Sequence, residues 1–229
     1  MADSVALEDD PPGDPLLYRV ADDLFHQLGV DDAGQLARGR EMYEERRGRV
    51  RQDEELWESW TQGFLEWFTF DRDRDAEPPA LRALAGESDP RRAAALRAWL
   101  RSQRALVVIG SHRPGRVRVR DLCGGAVFDV SERRSLYGVE DGDVAEVRLI
   151  GFEGQVRFGR AFLYHPTGTG QAIEERVAQL RGQGRRTADI LDHCAALRLR
   201  TERYRHVDPV RLYRAATEEL PPEADEEDR

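Results

Sequence analysis

The apolar residues change their period near Arg104, from the three- and four-residue steps of a helix to the alternation of a strand, and return to helical spacing from Gln171. A chain with two such switches is neither an all-helical bundle nor a β-sandwich. The pattern predicts an α+β fold: an N-terminal helical layer, a five-stranded antiparallel barrel-like sheet and C-terminal helices.

Upstream of the switch, Leu17, Val20, Ala21, Leu24, Phe25 and Leu28 recur at helical steps and predict a first helix that stops at Gly29. A second, weaker helix is expected from Asp32 to Arg49, with Leu36, Met42 and Tyr43 as sparse apolar positions among charged ones. Between Glu54 and Phe68, Trp57, Trp60, Phe64, Trp67 and Phe68 fall on one helical stripe. Burying five such rings at roughly 1.5–3 kcal/mol each yields ~10 kcal/mol before chain entropy, comparable with the net stability of a whole domain. The stripe is therefore read as core and as the nucleus of the N-terminal part. A short helix over Ala80–Ala85 ends at Gly86, and Ser88-Asp89-Pro90 caps the next, which buries Leu96, Trp99 and Leu100 and runs to Gln103.

After the switch, Ala105–Ile109 reads as a fully buried strand, whereas Arg116-Val117-Arg118-Val119-Arg120 alternates strictly between valine and arginine. Gly124-Gly125, Asp141-Gly142 and Gly151–Gly154 supply the turns into Ala126–Val130, Asp143–Ile150 and Gln155–Tyr164. The expected organisation is an acidic disordered segment (1–15), a helical region (16–103), a small β module (104–166), C-terminal helices (167–218) and an acidic disordered tail (219–229).

Charge follows the same divisions. The formal net charge is −9, yet residues 104–217 carry six more arginines than acids, and the segments on either side are acidic. All 35 basic residues are arginine, so no lysine is present to form a Schiff base or contact a phosphate. Cys123 and Cys194 are the only cysteines, which excludes a disulfide scaffold and a four-cysteine zinc site. The first 15 residues lack the basic and apolar regions of a signal peptide, and no apolar run is long enough to span a bilayer. A cytoplasmic location is the expectation.

Several motifs stop short of a chemistry. Asp71-Arg72-Asp73-Arg74-Asp75 opens like a calcium loop, but Ala76 and Arg82 stand where that loop needs glycine and a bidentate glutamate. Gly110 to Arg116 has phosphate-loop glycine spacing without its lysine, and precedes a strand where a helix is needed; it reads as a hairpin. Gly168-Thr169-Gly170 lacks the third glycine of a dinucleotide turn, Ile173 standing in its place. His26, His112, His165, His193 and His206 include no i, i+4 pair, and Cys194 reads as a small buried hydrophobe. No catalytic residue, metal ligand or cofactor-binding residue is therefore assigned, and no cofactor is expected. Arginines remain as candidates: Arg116, Arg118 and Arg120 on one strand face, Arg157 and Arg160 on another strand, and Arg198, Arg200, Arg203 and Arg205 crowded on one helix.

The stretch Trp60-Thr61-Gln62-Gly63-Phe64-Leu65-Glu66-Trp67-Phe68-Thr69-Phe70-Asp71-Arg72, with Asp121-Leu122, Gly124–Val130 and Gly142-Asp143-Val144 downstream, resembles a group of uncharacterised bacterial proteins. In them a helix ending in Trp-Phe-x-Phe-Asp precedes a small β module, and some carry a zinc motif of the SecA C-terminal type (SEC-C). The resemblance spans residues 50–165 and implies a bacterial origin and this architecture; the zinc motif is absent here, so metal binding does not carry over. The leading functional expectation is a non-enzymatic interaction or regulatory module with a protein partner and no membrane association. Nucleic-acid binding through the arginines is the alternative, and an enzyme with a scattered site is the third.

Overall fold

The computed structural model describes residues 15–31, 33–71, 77–132 and 139–215. The acidic segments expected to be disordered, and most of the calcium-like run, lie outside them. Five helical elements come first: α1 (Pro15–Asp31), α2 (Ala33–Arg47), α3 (Trp57–Glu66), α4 (Pro79–Gly86) and α5 (Pro90–Leu100). Five strands follow: β1 (Gln103–Arg113), β2 (Gly115–Asp121), β3 (Val127–Glu132), β4 (Val144–Phe152) and β5 (Gln155–Tyr164). The described chain ends with α6 (Gly170–Gly182), α7 (Thr187–Arg203) and α8 (Pro209–Arg214).

The strands close into a barrel in the order β1-β2-β3-β5-β4. The α+β architecture with a five-stranded barrel is as the periodicity implies. One pairing departs from an all-antiparallel sheet: β3 and β5 run parallel, joined at Val130↔Val156. That pairing closes the barrel, so it depends on contacts no turn signal encodes. Ala105, Val107, Ile109, Val117, Val119, Val130, Ala145, Val147, Leu149 and Phe158 fill the interior. They come from alternate positions of each strand, the period-2 rule applied inward.

Helices pack on the outside. Asp89 caps α5 as expected, accepting from the Arg91 N–H at 2.8 Å, with Pro90 at the first helical position. Helix α1 does not stop at Gly29; it continues to Asp31. The aromatic stripe is core, with Trp60, Phe64, Trp67 and Phe68 buried beside Tyr43, Leu163 and Leu199. It is not one continuous α-helix. Trp67–Asp71 forms a π-helical turn in which Trp67, Phe68, Thr69 and Phe70 are all buried. The wider turn rephases the chain, so Phe68 stays with the stripe while Phe70 enters a second core cluster and stacks on Trp99 at 4.6 Å. Gly39 permits α2 to close on that segment, because a Cβ there would clash with the Phe68 ring.

Candidate functional site

Outward-facing charges of the barrel meet two different fates. Glu146 and Arg148 alternate with interior Val147 and Leu149 on β4, the pattern of a strand with one wet face. Here the charged face is buried as well: Arg148 is 1% and Glu146 8% exposed. Helices α2, α3 and α7 bring partners to it. Arg47 of α2 makes a double contact with the Glu146 carboxylate and donates to the Tyr43 hydroxyl at 2.7 Å. Arg104 of β1 donates to Glu146 at 3.0 Å and to Asp192 of α7 at 3.1 Å. Arg148 forks onto Asp71 at 2.9 and 2.5 Å and reaches Glu66 of α3 at 3.2 Å. Glu66 also accepts the backbone N–H groups of Arg160 and Ala161 at 2.7 and 3.0 Å. Gly159 makes this possible, since a Cβ there would lie 2.9 Å from both Glu66 carboxylate oxygens.

Glu146, Arg104 and Arg148 are shifted toward their charged forms. Burial pushes the Glu146 carboxyl up, but Arg47 and Arg104 overcome it and hold its pKa below the usual range. Burial opposes charge on Arg148, and Asp71 and Glu66 reverse the effect. The cavity beside the network, lined by Trp60, Arg47 and Arg104 among others, measures about 20 Å³. That is the room of one water and no more. The network is a clamp between barrel and helices: the charges are paired, and no substrate-sized space opens on them.

The other ionisable groups that tempted a chemical reading are packed away. Burial pushes the Cys194 thiol up to about 12 and, with some help from Asp121, the Cys123 thiol to about 11. Both are free thiols in the core, not activated nucleophiles. His165 is buried with its Nδ1 2.6 Å from the Tyr213 hydroxyl, and burial, aided by Arg198, pushes its pKa down to about 3. Unfolding exposes an imidazole of ordinary pKa near 6.5, so the unfolded chain binds a proton that the folded chain excludes. The associated stability is complete above about pH 6.5 and is lost as pH falls toward 3. Between pH 6 and 5, before the carboxylates titrate, stability should decline with a contribution of about 1.4 kcal/mol per pH unit from this site. Denaturant titrations of the wild type and of His165→Gln across that range check it; equal slopes would refute the assignment. Among the described residues, no group of three or more histidine, cysteine or acidic side chains could hold a metal ion, and no helix is long and apolar enough to cross a membrane.

The second fate of an outward charge is exposure, and it is confined to β2 and its neighbours. Arg116, Arg118 and Arg120 project from the outer face of β2 and are exposed, beside exposed Val127 and Asp129 of β3. Arg113 joins them, cross-strand from Arg116. Like charges directly opposite one another weaken a sheet. Among the described residues Arg113, Arg116 and Arg118 have no ion-paired partner, while Arg120 reaches Glu174 at 2.8 Å on the surface. Along β2 the three guanidinium stems stand about 6.7 Å apart, two strand residues each.

The remaining arginine candidates do not join this row. Arg157 is 8% exposed and bonds the Gln155 side chain, so it contributes field more than contact. Arg160 pairs with Asp22 at 2.7 Å and lies over the Tyr18 ring. On α7, Arg198 is committed to the Tyr164 carbonyl and Glu202, and Arg203 to Glu54 and the Arg49 carbonyl, while Arg200 is half-buried; Arg205 does not share the helix, which ends at Arg203, and pairs with Glu202 and Glu55 from the turn beyond it. The helix that looked richest in charge is a set of internal and local ion pairs. Alternation puts Arg116, Arg118 and Arg120 on one strand face, and the structure has them there; Arg113, which adjoins them, lies beyond an irregularity in the β1–β2 register between Ile109 and His112 that alternation does not reveal. No protein-family model, curated protein or solved structure matches the chain.

Proposed function

We propose that this chain is a cytoplasmic, non-enzymatic binding module that holds single-stranded nucleic acid on the β2–β3 face of its barrel. The observation that carries the reading is the uncovered arginine row Arg113, Arg116, Arg118 and Arg120, set on a barrel whose β4, β5 and the buried first part of β1 are packed against helices. Its spacing is close to that of successive phosphates in an extended strand. The strand order 1-2-3-5-4 with β3 parallel to β5 is also the connectivity of the Greek-key barrels that bind oligonucleotides and oligosaccharides on strands 2 and 3. That likeness is an analogy of connectivity alone. Two free, buried thiols fit a reducing compartment.

The outward side chains that β2 and β3 give this face are Arg116, Arg118, Arg120, Val127, Asp129 and Ser131, without an aromatic ring for base stacking. Binding is therefore to the backbone, independent of sequence and steeply weakened by salt. With three phosphates neutralised, the slope of log affinity against log salt should be about −2 for a single strand. Arg116→Ala/Arg118→Ala should remove most of this binding while leaving the unfolding free energy within about 0.5 kcal/mol, as expected for exposed positions. Anisotropy of labelled oligothymidylate and oligouridylate, titrated at several salt concentrations, separates DNA from RNA. Absence of binding by the wild type to either probe at low salt would refute the reading.

A further inference from the structure

At the end of the barrel marked by the β4–β5 turn, that turn and α5 line an open groove of about 460 Å³. Its lining includes Ala94, Arg97, Ala98 and Arg101 from α5 and its C-terminal end, and Phe152 and Glu153 from the β4–β5 turn. The volume is of the size that takes a small-molecule or nucleotide group. Arg97 and Arg101 are exposed, one helical turn apart at about 6 Å, and among the described residues neither has an acidic partner. Like charges at that spacing work against a helix. The turn is constrained too: Glu153 has φ of 48°, followed by Gly154 at 73°, the two positive angles of a tight hairpin that asparagine or glycine occupies more easily than glutamate.

Groove and arginine row lie at the same end of the barrel. Phe152 pairs with Gln155 across the turn, β5 joins β3 at Val156↔Val130, and Val130 pairs with Val117 beside Arg116. Two strand spacings, about 10 Å, therefore separate the start of β5 from β2. At the start of β5 stands Arg157, a buried guanidinium whose bond to the Gln155 amide leaves its charge uncompensated by any carboxylate among the described residues. The field it adds is positive along that route.

We propose that the groove is a second subsite for the same single strand: the chain leaves the β2–β3 arginines, crosses the β4–β5 turn and lays its next phosphates on Arg97 and Arg101. Glu153, which would repel a phosphate, faces the base edges and accepts a base N–H, the ring N3–H in thymine and uracil, while Ala94, Ala98 and Phe152 give the base an apolar seat. This inference rests on the binding reading above, and length dependence separates the two. A strand of five nucleotides occupies the β2–β3 row alone; one of 15 reaches the groove.

The test uses oligothymidylate and oligouridylate of both lengths with the full chain. Wild-type protein should bind the 15-mer with a salt slope of about −3.5, from five neutralised phosphates, and Arg97→Ala/Arg101→Ala should bring it to about −2.1. If both lines meet at 1 M salt, that change is roughly 25-fold weaker binding at 0.1 M. The 5-mer should be unaffected. Arg181→Ala/Arg185→Ala removes the same charge from exposed positions at the α6–α7 connection and should leave both probes nearly unchanged. Wild-type binding of the 15-mer with an unaltered slope in Arg97→Ala/Arg101→Ala, or an equal loss in Arg181→Ala/Arg185→Ala, overturns the groove and leaves the β2–β3 reading standing. No binding of either length by wild type overturns both.

Discussion

Arg148→Ala should destabilise the protein by about 3–5 kcal/mol, the usual cost of removing one partner from a buried ion pair. The guanidinium is 1% exposed and serves two carboxylates, Glu66 and Asp71, as well as the Ser102 hydroxyl. Truncation leaves Glu66, itself 2% exposed, as a buried carboxylate supported only by the Arg160 and Ala161 N–H groups. Chemical denaturation at neutral pH reads the effect as a fall in midpoint at constant slope. The exposed pair Arg186–Asp189 supplies the comparison: at 2.7 Å it is geometrically as good, but solvent screening should hold the cost of Arg186→Ala to within about 1 kcal/mol. Adding Glu66→Gln to Arg148→Met should recover part of the loss, because the amide oxygen still accepts the Arg160 and Ala161 N–H groups and the carboxylate left behind, Asp71, is partly open to solvent. If Arg148→Ala unfolds within 1 kcal/mol of wild type, the network does not clamp the helices to the barrel.

That network marks the boundary of what the residues alone disclose. Alternation in Arg116–Arg120 and in Val147–Leu149 is the same signal, and both segments are strands with one apolar face turned into the barrel. Their other faces diverge because α2, α3 and α7, brought in from both ends of the chain, cover β4 and leave β2 open. Local periodicity says that a face is polar and is silent on what lies over it. The same silence explains α7: its arginines look like a surface cluster by composition, and they find Glu54, Tyr164 and Arg49 only in three dimensions. Local signals fared better where the cause is local. The Asp89 cap, the Pro114-Gly115 hairpin with Gly115 at φ of 82°, and the turn at Gly154 are all set within a few residues. Gly29 failed as a helix stop because glycine in mid-helix costs only about 1 kcal/mol, and Leu28, buried beside Tyr43 and Trp60, offsets it.

Trp67→Ala carries the second large effect and tests whether the aromatic stripe is the core of the N-terminal half. The indole is 5% exposed and packs on Tyr43 at 5.4 Å and Phe64 at 6.4 Å, at the point where α3 passes into the π-helical turn. Truncation removes the transfer energy of the ring and leaves a cavity beside aromatic neighbours held from several sides, so about 3–5 kcal/mol is expected. For a chain of this length that is a fall in melting temperature of roughly 6–20 °C. Phe70→Ala should cost a similar amount through a different contact, since its ring stacks on Trp99 in the cluster that joins α1 and α5 to β4. Trp57, half-buried at the start of α3 with Arg40 over its ring at 4.6 Å, should be the tolerant member of the stripe, with Trp57→Ala costing well under half as much. A graded series in that order is what a rephased, two-sided helix requires. Equal losses at Trp57 and Trp67 would instead describe a straight helix with one uniformly buried stripe, and the π-helical turn would have no energetic role in joining the two clusters.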